Sequence, residues 1–538
     1  MKQISAQPIF RAFLALIVFA GTLAGCGDNR ARSSEFAAIA EQHLSAGDLV
    51  SARLNAQKAI AERDDVAALY VLLGQIEVRS QKPISAFNAY SMALDLEADN
   101  IEVLQAIADL GMQTGRVKEA KEAADRILIL APASPNALLV KGFIAQDEGK
   151  YEEAAKVVED ILSLNAQDEG GIILSARLDA LQGRSQQALE KIDKAIAQIG
   201  TTYALNVTRL EIYRLLGNAE YMLGIFPTIL KEADINSEYQ IDYTNIIYKT
   251  GNVGLARTVS INMLRDQQLS RAQLEKLTNL WVEYDINPLT EAQIAYFSAE
   301  GSPLTRSALT RHFLLYGKPE TAERLLANLV EGGSEDAKAL WARVMLARGN
   351  YRTAFAVAKY VLKGDPRNED ALLVHSAQSI AQRRFRDAIE DASVAVSDSP
   401  QNPIAYAQLA KAYAAKGNDV RARQVFEQGM DALPQSRLLA SLYKKFLLKW
   451  GDEERALSID KDVALASPSS TKSWTTFFQT CSRSRDTACG KVARDGLARA
   501  KLSFLVDDAP GMPRRRGLFA RITPEKICAT TGGICTES

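Results

Sequence analysis

Histidine is scarce in this chain. His43, His312 and His375 are the only three in 538 residues, and they lie too far apart to suggest a metal site. No HExxH zinc motif, GxxxxGK[ST] phosphate loop, GxSxG nucleophile elbow or Gly-rich dinucleotide loop occurs. The acids are spread at amphipathic spacing, as on a solvated helix face. No catalytic residue, metal ligand or cofactor site is therefore expected, and the chain reads as non-enzymatic. A charge excess of either sign is also missing. Sixty-four basic side chains face 65 acidic ones, a net charge of −1, whereas a nucleic-acid partner would call for a basic surplus. Proline (16) and glycine (32) are sparse enough to leave long helices uninterrupted. No apolar run is long enough to span a bilayer stably.

What is present begins with an address. Lys2 and Arg11 precede an apolar run over residues 12–20, followed by small residues, which is the anatomy of a secretory signal. Leu23, Ala24, Gly25 and Cys26 then resemble the lipobox of bacterial lipoproteins. That resemblance implies cleavage after residue 25 and acylation of Cys26. Acyl chains contribute about 0.8 kcal/mol per buried methylene, so two or three form a lasting membrane anchor. Residues 1–25 are thus expected to be the signal peptide, and 26–34 the lipidated cysteine with a flexible tether. Gly27, where enterobacterial inner-membrane lipoproteins often have Asp, tilts the expectation toward the outer rather than the inner membrane, facing the periplasm.

The body of the chain repeats. Ala52, Ala86, Ala120, Ala154 and Ala188 stand 34 positions apart, and Gly47, Gly115, Gly149, Gly183, Gly217 and Gly251 fall on the same grid, with Gln81 in the one gap. The phase slips around 285–320. It resumes at Ala354, Ala388, Ala422 and Ala456, with Pro366, Pro400, Pro434 and Pro468 keeping the same step and Pro132 marking it in the first block. Each unit predicts two amphipathic helices joined at the Gly, crossing at the Ala, and ended by the Pro. The clearest unit runs from Pro403 to Ser436, with Tyr406, Leu409, Ala410, Tyr413, Gly417, Ala422, Phe426 and Pro434 in place.

These positions resemble the tetratricopeptide repeat, Gly429 alone departing where that family usually has Ala. The resemblance covers about residues 33–504. It implies an all-α fold, a right-handed superhelical solenoid of about a dozen 34-residue helix-turn-helix repeats, binding other proteins along a concave groove. Residues 35–284 are expected as an N-terminal repeat block, 285–320 as an irregular repeat or hinge, and 321–504 as a C-terminal block. By the same resemblance the first helix of each unit lines the groove. Carried onto the grid, the binding candidates are Arg79, Gln105, Asp109, Gln113, Gln146, Asp147, Asn245, Tyr248, Arg343 and Lys411. Tyr203, Tyr213, Tyr221, Tyr239, Tyr243, Trp281 and Tyr284 crowd the worn middle units, where they either stack on a ligand or fill gaps in the packing.

Beyond Cys26, four cysteines remain in two close pairs, Cys481 with Cys489 and Cys528 with Cys535. In an exported chain they read as disulfides, other pairings such as Cys481 with Cys528 staying open. Residues 505–538 read as a disulfide-containing tail over a last repeat that has no outer neighbour. The functional expectation is a membrane-anchored scaffold in an envelope assembly. Its partners would be other envelope proteins, with polysaccharide a further candidate, and its setting exopolysaccharide export or secretion. The rival is an accessory protein or enzyme acting on peptidoglycan or glycans.

Overall fold

The computed structural model describes residues 29–504, apart from 233–237, 266–268, 332–333 and 485–486. Leu23, Ala24, Gly25, Cys26, Cys528 and Cys535 lie outside the described residues. Among those described, every regular element is a helix, and none is long and apolar enough to cross a membrane.

The hairpin of Pro403–Ala415 and Asp419–Ala432 shows how local sequence builds the unit. Asn402 caps the first helix by accepting from the Ile404 N–H, and Pro403 supplies a preset φ at its start. The helix stops at Gly417, whose φ of +84° is left-handed. There the Asn418 N–H bonds to the Tyr413 carbonyl and the Gly417 N–H to that of Ala414, a Schellman closure. Asn418 then caps the second helix through the Arg421 N–H, so one residue ends one helix and starts the next. In the second helices Ala354, Ala388 and Ala422 have no exposed surface and Ala456 only 2%. Each marks the crossing point where a longer side chain would wedge the pair apart.

Successive first helices pack on one another across most of the repeats, while second helices are mostly splayed, so the first helices form the inner wall. The chain is an all-α superhelical repeat divided into two compact units, one ending at Arg209 and the other beginning at Leu210.

Three local expectations change. Residues 29–45 are already helical, so 29–34 do not form a flexible tether. Ser33 is buried and donates to the Ala59 carbonyl, and Arg32 pairs with Glu62 at 3.2 Å, which seats the stretch on the following helix. The phase slip has a cause too. Arg271–Tyr284 is followed not by a glycine turn but by residues 285–290 and the ten-residue helix Glu291–Glu300, opened by a Thr290–Gln293 capping box. Asp285 pins that connection by accepting both arms of Arg257 at 2.6 and 2.8 Å. Residues 285–320 lie inside the second unit.

The last repeat, third, does have an outer neighbour. Its helices Thr471–Ser484 and Thr487–Leu502, joined by a Cys481–Cys489 disulfide, return to the start of the second unit. Glu283 pairs with Arg437 at 2.7 Å and accepts from the Ser470 hydroxyl and the Lys472 N–H. The Lys472 ammonium donates to the Val282 carbonyl at 2.7 Å, that of Lys249 to Ser469 at 2.9 Å, and the Arg214 guanidinium to Phe504 at 2.6 Å.

Candidate functional site

Along the inner wall one register recurs, six residues before each turn glycine. In the first unit it holds Glu41, Asp109, Phe143 and Arg177; in the second, Glu211, Asn245, Arg311, Arg343, Lys411 and Lys445. Neighbours in this register meet. The Arg177 guanidinium lies 4.6 Å over the Phe143 ring, and Arg311 and Arg343 converge on one carboxylate, that of Asp370.

The Asp370 cluster is a buried, multiply bonded polar group of the second unit. Arg311 approaches with two bonds, 3.0 and 2.6 Å, and Arg343 with one of 2.7 Å. Burial would raise the pKa of Asp370, but the two guanidinium groups outweigh it and hold the carboxyl down at about 2. The carboxylate is therefore ionised at neutral pH, and Glu369 and Asp336 add further negative charge facing Arg311. Arg311 and Asp370 are 59 positions apart, so first helices two repeats removed come together here. Lys411 and Lys445, further along, are exposed and make no side-chain bond among the described residues.

In the first unit, Gln105 donates to Asp109 at 3.0 Å. Burial raises the Asp109 carboxyl to about 7 against that hydrogen bond, since no cation stands beside it to favour the charged form. Gln146 is buried with its carbonyl oxygen unpartnered and its amide 3.2 Å from Asp147, which is exposed. Gln113 is exposed. Arg79, also exposed, donates to the Leu44 carbonyl at 2.9 Å and ties one hairpin to the one before it.

Asn245 is half-buried. Tyr248 is not a groove residue. It is buried in the core, stacked on Tyr284 at 5.6 Å, with its hydroxyl toward Asp285. The other aromatics of the worn units behave alike: Tyr203, Tyr213, Tyr239 and Trp281 are buried, and Tyr243 packs on Phe226 at 5.2 Å. Tyr221 is exposed but lies flat on Tyr213 at 4.8 Å. Apart from Tyr221, these rings fill repeat packing. Arg311 and Lys445 escaped the reading of the sequence. Lys445 stands one 34-residue step after Lys411 and was within reach of the grid; Arg311 sits where the phase slips, and only counting back from Gly317 would have found it.

Two family models described as tetratricopeptide repeat match the chain, one over residues 106–169 and one over 379–446. The chain is 23% identical over 330 residues, 61% of its length, to a Xanthomonas axonopodis pv. citri protein named cellulose synthase operon protein C. That alignment spans only 19% of the relative's own length. Among solved structures, it is similar to a tetratricopeptide repeat protein of Parabacteroides merdae (20% identity, 47% of this chain and 99% of that one, TM-score 0.40). It is also similar to PilW, a type IV pilus biogenesis factor (18% identity, 38% and 96% covered, TM-score 0.31). With matches in both compact units, and the hairpin ladder with its turn and crossing columns throughout, the chain is a tetratricopeptide repeat protein, a scaffold for protein–protein interaction.

Proposed function

We propose that this scaffold is lipid-anchored to the bacterial envelope, faces the periplasm, and gathers the proteins of an exopolysaccharide export or secretion assembly. The observation that carries the reading is the inner wall of first helices, where polar side chains such as Lys411 and Lys445 are left exposed in a repeating register. The lipobox-like Leu23-Ala24-Gly25-Cys26 supports the anchor. The likeness to a protein named for a cellulose synthase operon supports the polysaccharide setting.

The test is crosslinking in the native host, followed by purification through a C-terminal tag and mass spectrometry. Capture of an export channel, a polymer synthase or a secretion component supports the reading. Capture of abundant envelope proteins alone would overturn it. Cys26→Ser is expected to move the protein from the membrane to the soluble fraction, and an unchanged distribution would remove the anchor from the proposal.

A further inference from the structure

We infer that residues 505–513, which follow Phe504 directly, fold back as a strap over an apolar patch at the seam where the last repeat of the second unit meets its beginning. The inference goes beyond the scaffold reading and does not depend on it. Position is the first argument. Leu215 and Leu216, at the end of one first helix, are 45% and 49% exposed, and Tyr221, on the second helix after the turn, is 54% exposed. Leu502 joins them from the far end of the unit and is 69% exposed. Its carbonyl oxygen lies 2.6 Å from where a Cβ on Gly217 would stand, which seats it beside Leu216. Four large apolar side chains thus gather at one turn, from both sides of the seam. Exposed apolar residues are commonly scattered singly, whereas a cluster of them marks a contact surface.

Connectivity is the second argument. The Arg214 guanidinium holds the Phe504 carbonyl at 2.6 Å, and the Lys249 ammonium lies 5.4 Å from the centre of the Phe504 ring. The chain therefore leaves the described residues at a fixed point next to Leu215. At about 3.3 Å per extended residue, the segment reaches roughly 30 Å, enough to cross four neighbouring side chains. A tethered segment competes at an effective concentration on the order of millimolar, which favours it over a second copy or a separate protein.

Composition is the third argument. Leu505, Val506 and Met512 are apolar, and Met fits irregular surfaces because its side chain is unbranched and bends. Pro510 and Pro513 lack the N–H needed to continue a helix and preset an extended course. Asp507 and Asp508 carry the charge of the segment up to residue 513. On the rim of the patch, Arg499 and Lys501 beside Leu502 are exposed cations, and Glu220 beside Tyr221 is an exposed acid. The two aspartates therefore belong over the Leu502 side.

The test places photoreactive benzoylphenylalanine at Tyr221 in the full chain, in detergent, and maps the crosslinks by mass spectrometry. Mixing unlabelled with isotope-labelled chain separates crosslinks within one molecule from those between copies. Crosslinks within one molecule to residues 505–513 are expected, and Leu505→Ser/Val506→Ser/Met512→Ser should reduce them roughly fivefold or more. Val420→Ser, at an exposed apolar position elsewhere in the second unit, should leave them unchanged. Without the photoprobe, the triple variant should exchange the amides of residues 216–222 several-fold faster, while those of Pro403–Ala415 keep their protection. Crosslinks between copies would assign the patch to a dimer and overturn the strap. So would crosslinks that avoid residues 505–513 or persist in the triple variant, and so would unaltered exchange at residues 216–222.

Discussion

At Gly429 a single absent methyl group decides local packing. Built there, a Cβ would come within 2.7 Å of Leu439 Cδ2 and 2.9 Å of Tyr406 Cγ. Alanine favours a helix over glycine by about 1 kcal/mol, yet Gly429→Ala is expected to lower stability by about 1–3 kcal/mol, because overpacking is the larger effect. Thermal unfolding of the variant checks this, and a stabilised protein would show that Tyr406 yields. The departure from the repeat pattern was legible in the sequence. Its reason was not, since the crowding atoms come from the preceding helix and from the next repeat. His312 gives a second case. Its ring is buried among Trp281, Phe313 and Tyr316, with neither nitrogen bonded. Burial, helped by Lys318 and opposed by Asp285, lowers its pKa to about 4. An unfolded His protonates near 6.5, so the neutral folded form contributes stability above that pH, and the contribution falls away as pH drops toward 4. The acid loss attributable to this group is at most about 3 kcal/mol. His312→Phe should flatten the unfolding profile between pH 6.5 and 4; a profile of unchanged slope would assign the acid sensitivity elsewhere.

Helices and turns were the most legible scale. The Ala and Gly columns recur because every hairpin meets the same two constraints, a close crossing and a left-handed turn. The glycine column has exceptions that test the reason for it. Gln81 and Arg383 adopt φ of +56° and +57° at turns where Gly349 and Gly417 sit at +76° and +84°. A left-handed conformation costs a residue with a Cβ roughly 1 kcal/mol, so Arg383→Gly is expected to stabilise the second unit by up to about 1 kcal/mol. Urea unfolding would measure it, with a shifted midpoint and unchanged slope. A loss of stability would mean that the Arg383 side chain contributes more than its backbone strain costs. The element that resisted sequence reading was Glu291–Glu300. It opens with a Thr–Gln capping box that the sequence contains, but it follows a connection held by Asp285 and Arg257, 28 positions apart. The columns could therefore show that the phase slipped there, but not what replaced the turn.

For the molecule as a whole, a 34-residue period specifies neighbours and is silent about returns. The contacts that bring the last repeat of the second unit back to its beginning span 187 to 290 positions and have no signature in any column. Their logic is that of helix ends. Glu283, from a helix nearly two hundred residues earlier, supplies a carboxylate at the N-terminus of Thr471–Ser484, accepting from the Ser470 hydroxyl at 3.0 Å and the Lys472 N–H at 3.1 Å. A carboxylate there meets both free N–H groups and the positive end of the helix dipole. Arg437 balances its charge at 2.7 Å. Removing one partner strips the other of its ion pair in a half-buried place, so Glu283→Ala and Arg437→Ala should each cost about 1–3 kcal/mol. The double variant should cost less than the sum, because the second change removes the charge that the first one stranded. Hydrogen exchange provides the spatial readout. In Glu283→Ala, amides at the start of Thr471–Ser484 should exchange faster, while those of Pro403–Ala415, which do not touch Glu283, keep their protection. Unchanged exchange at residues 471–475 would mean that the Cys481–Cys489 bond and the packing of Trp474 on Gly496 hold that helix without the return contact.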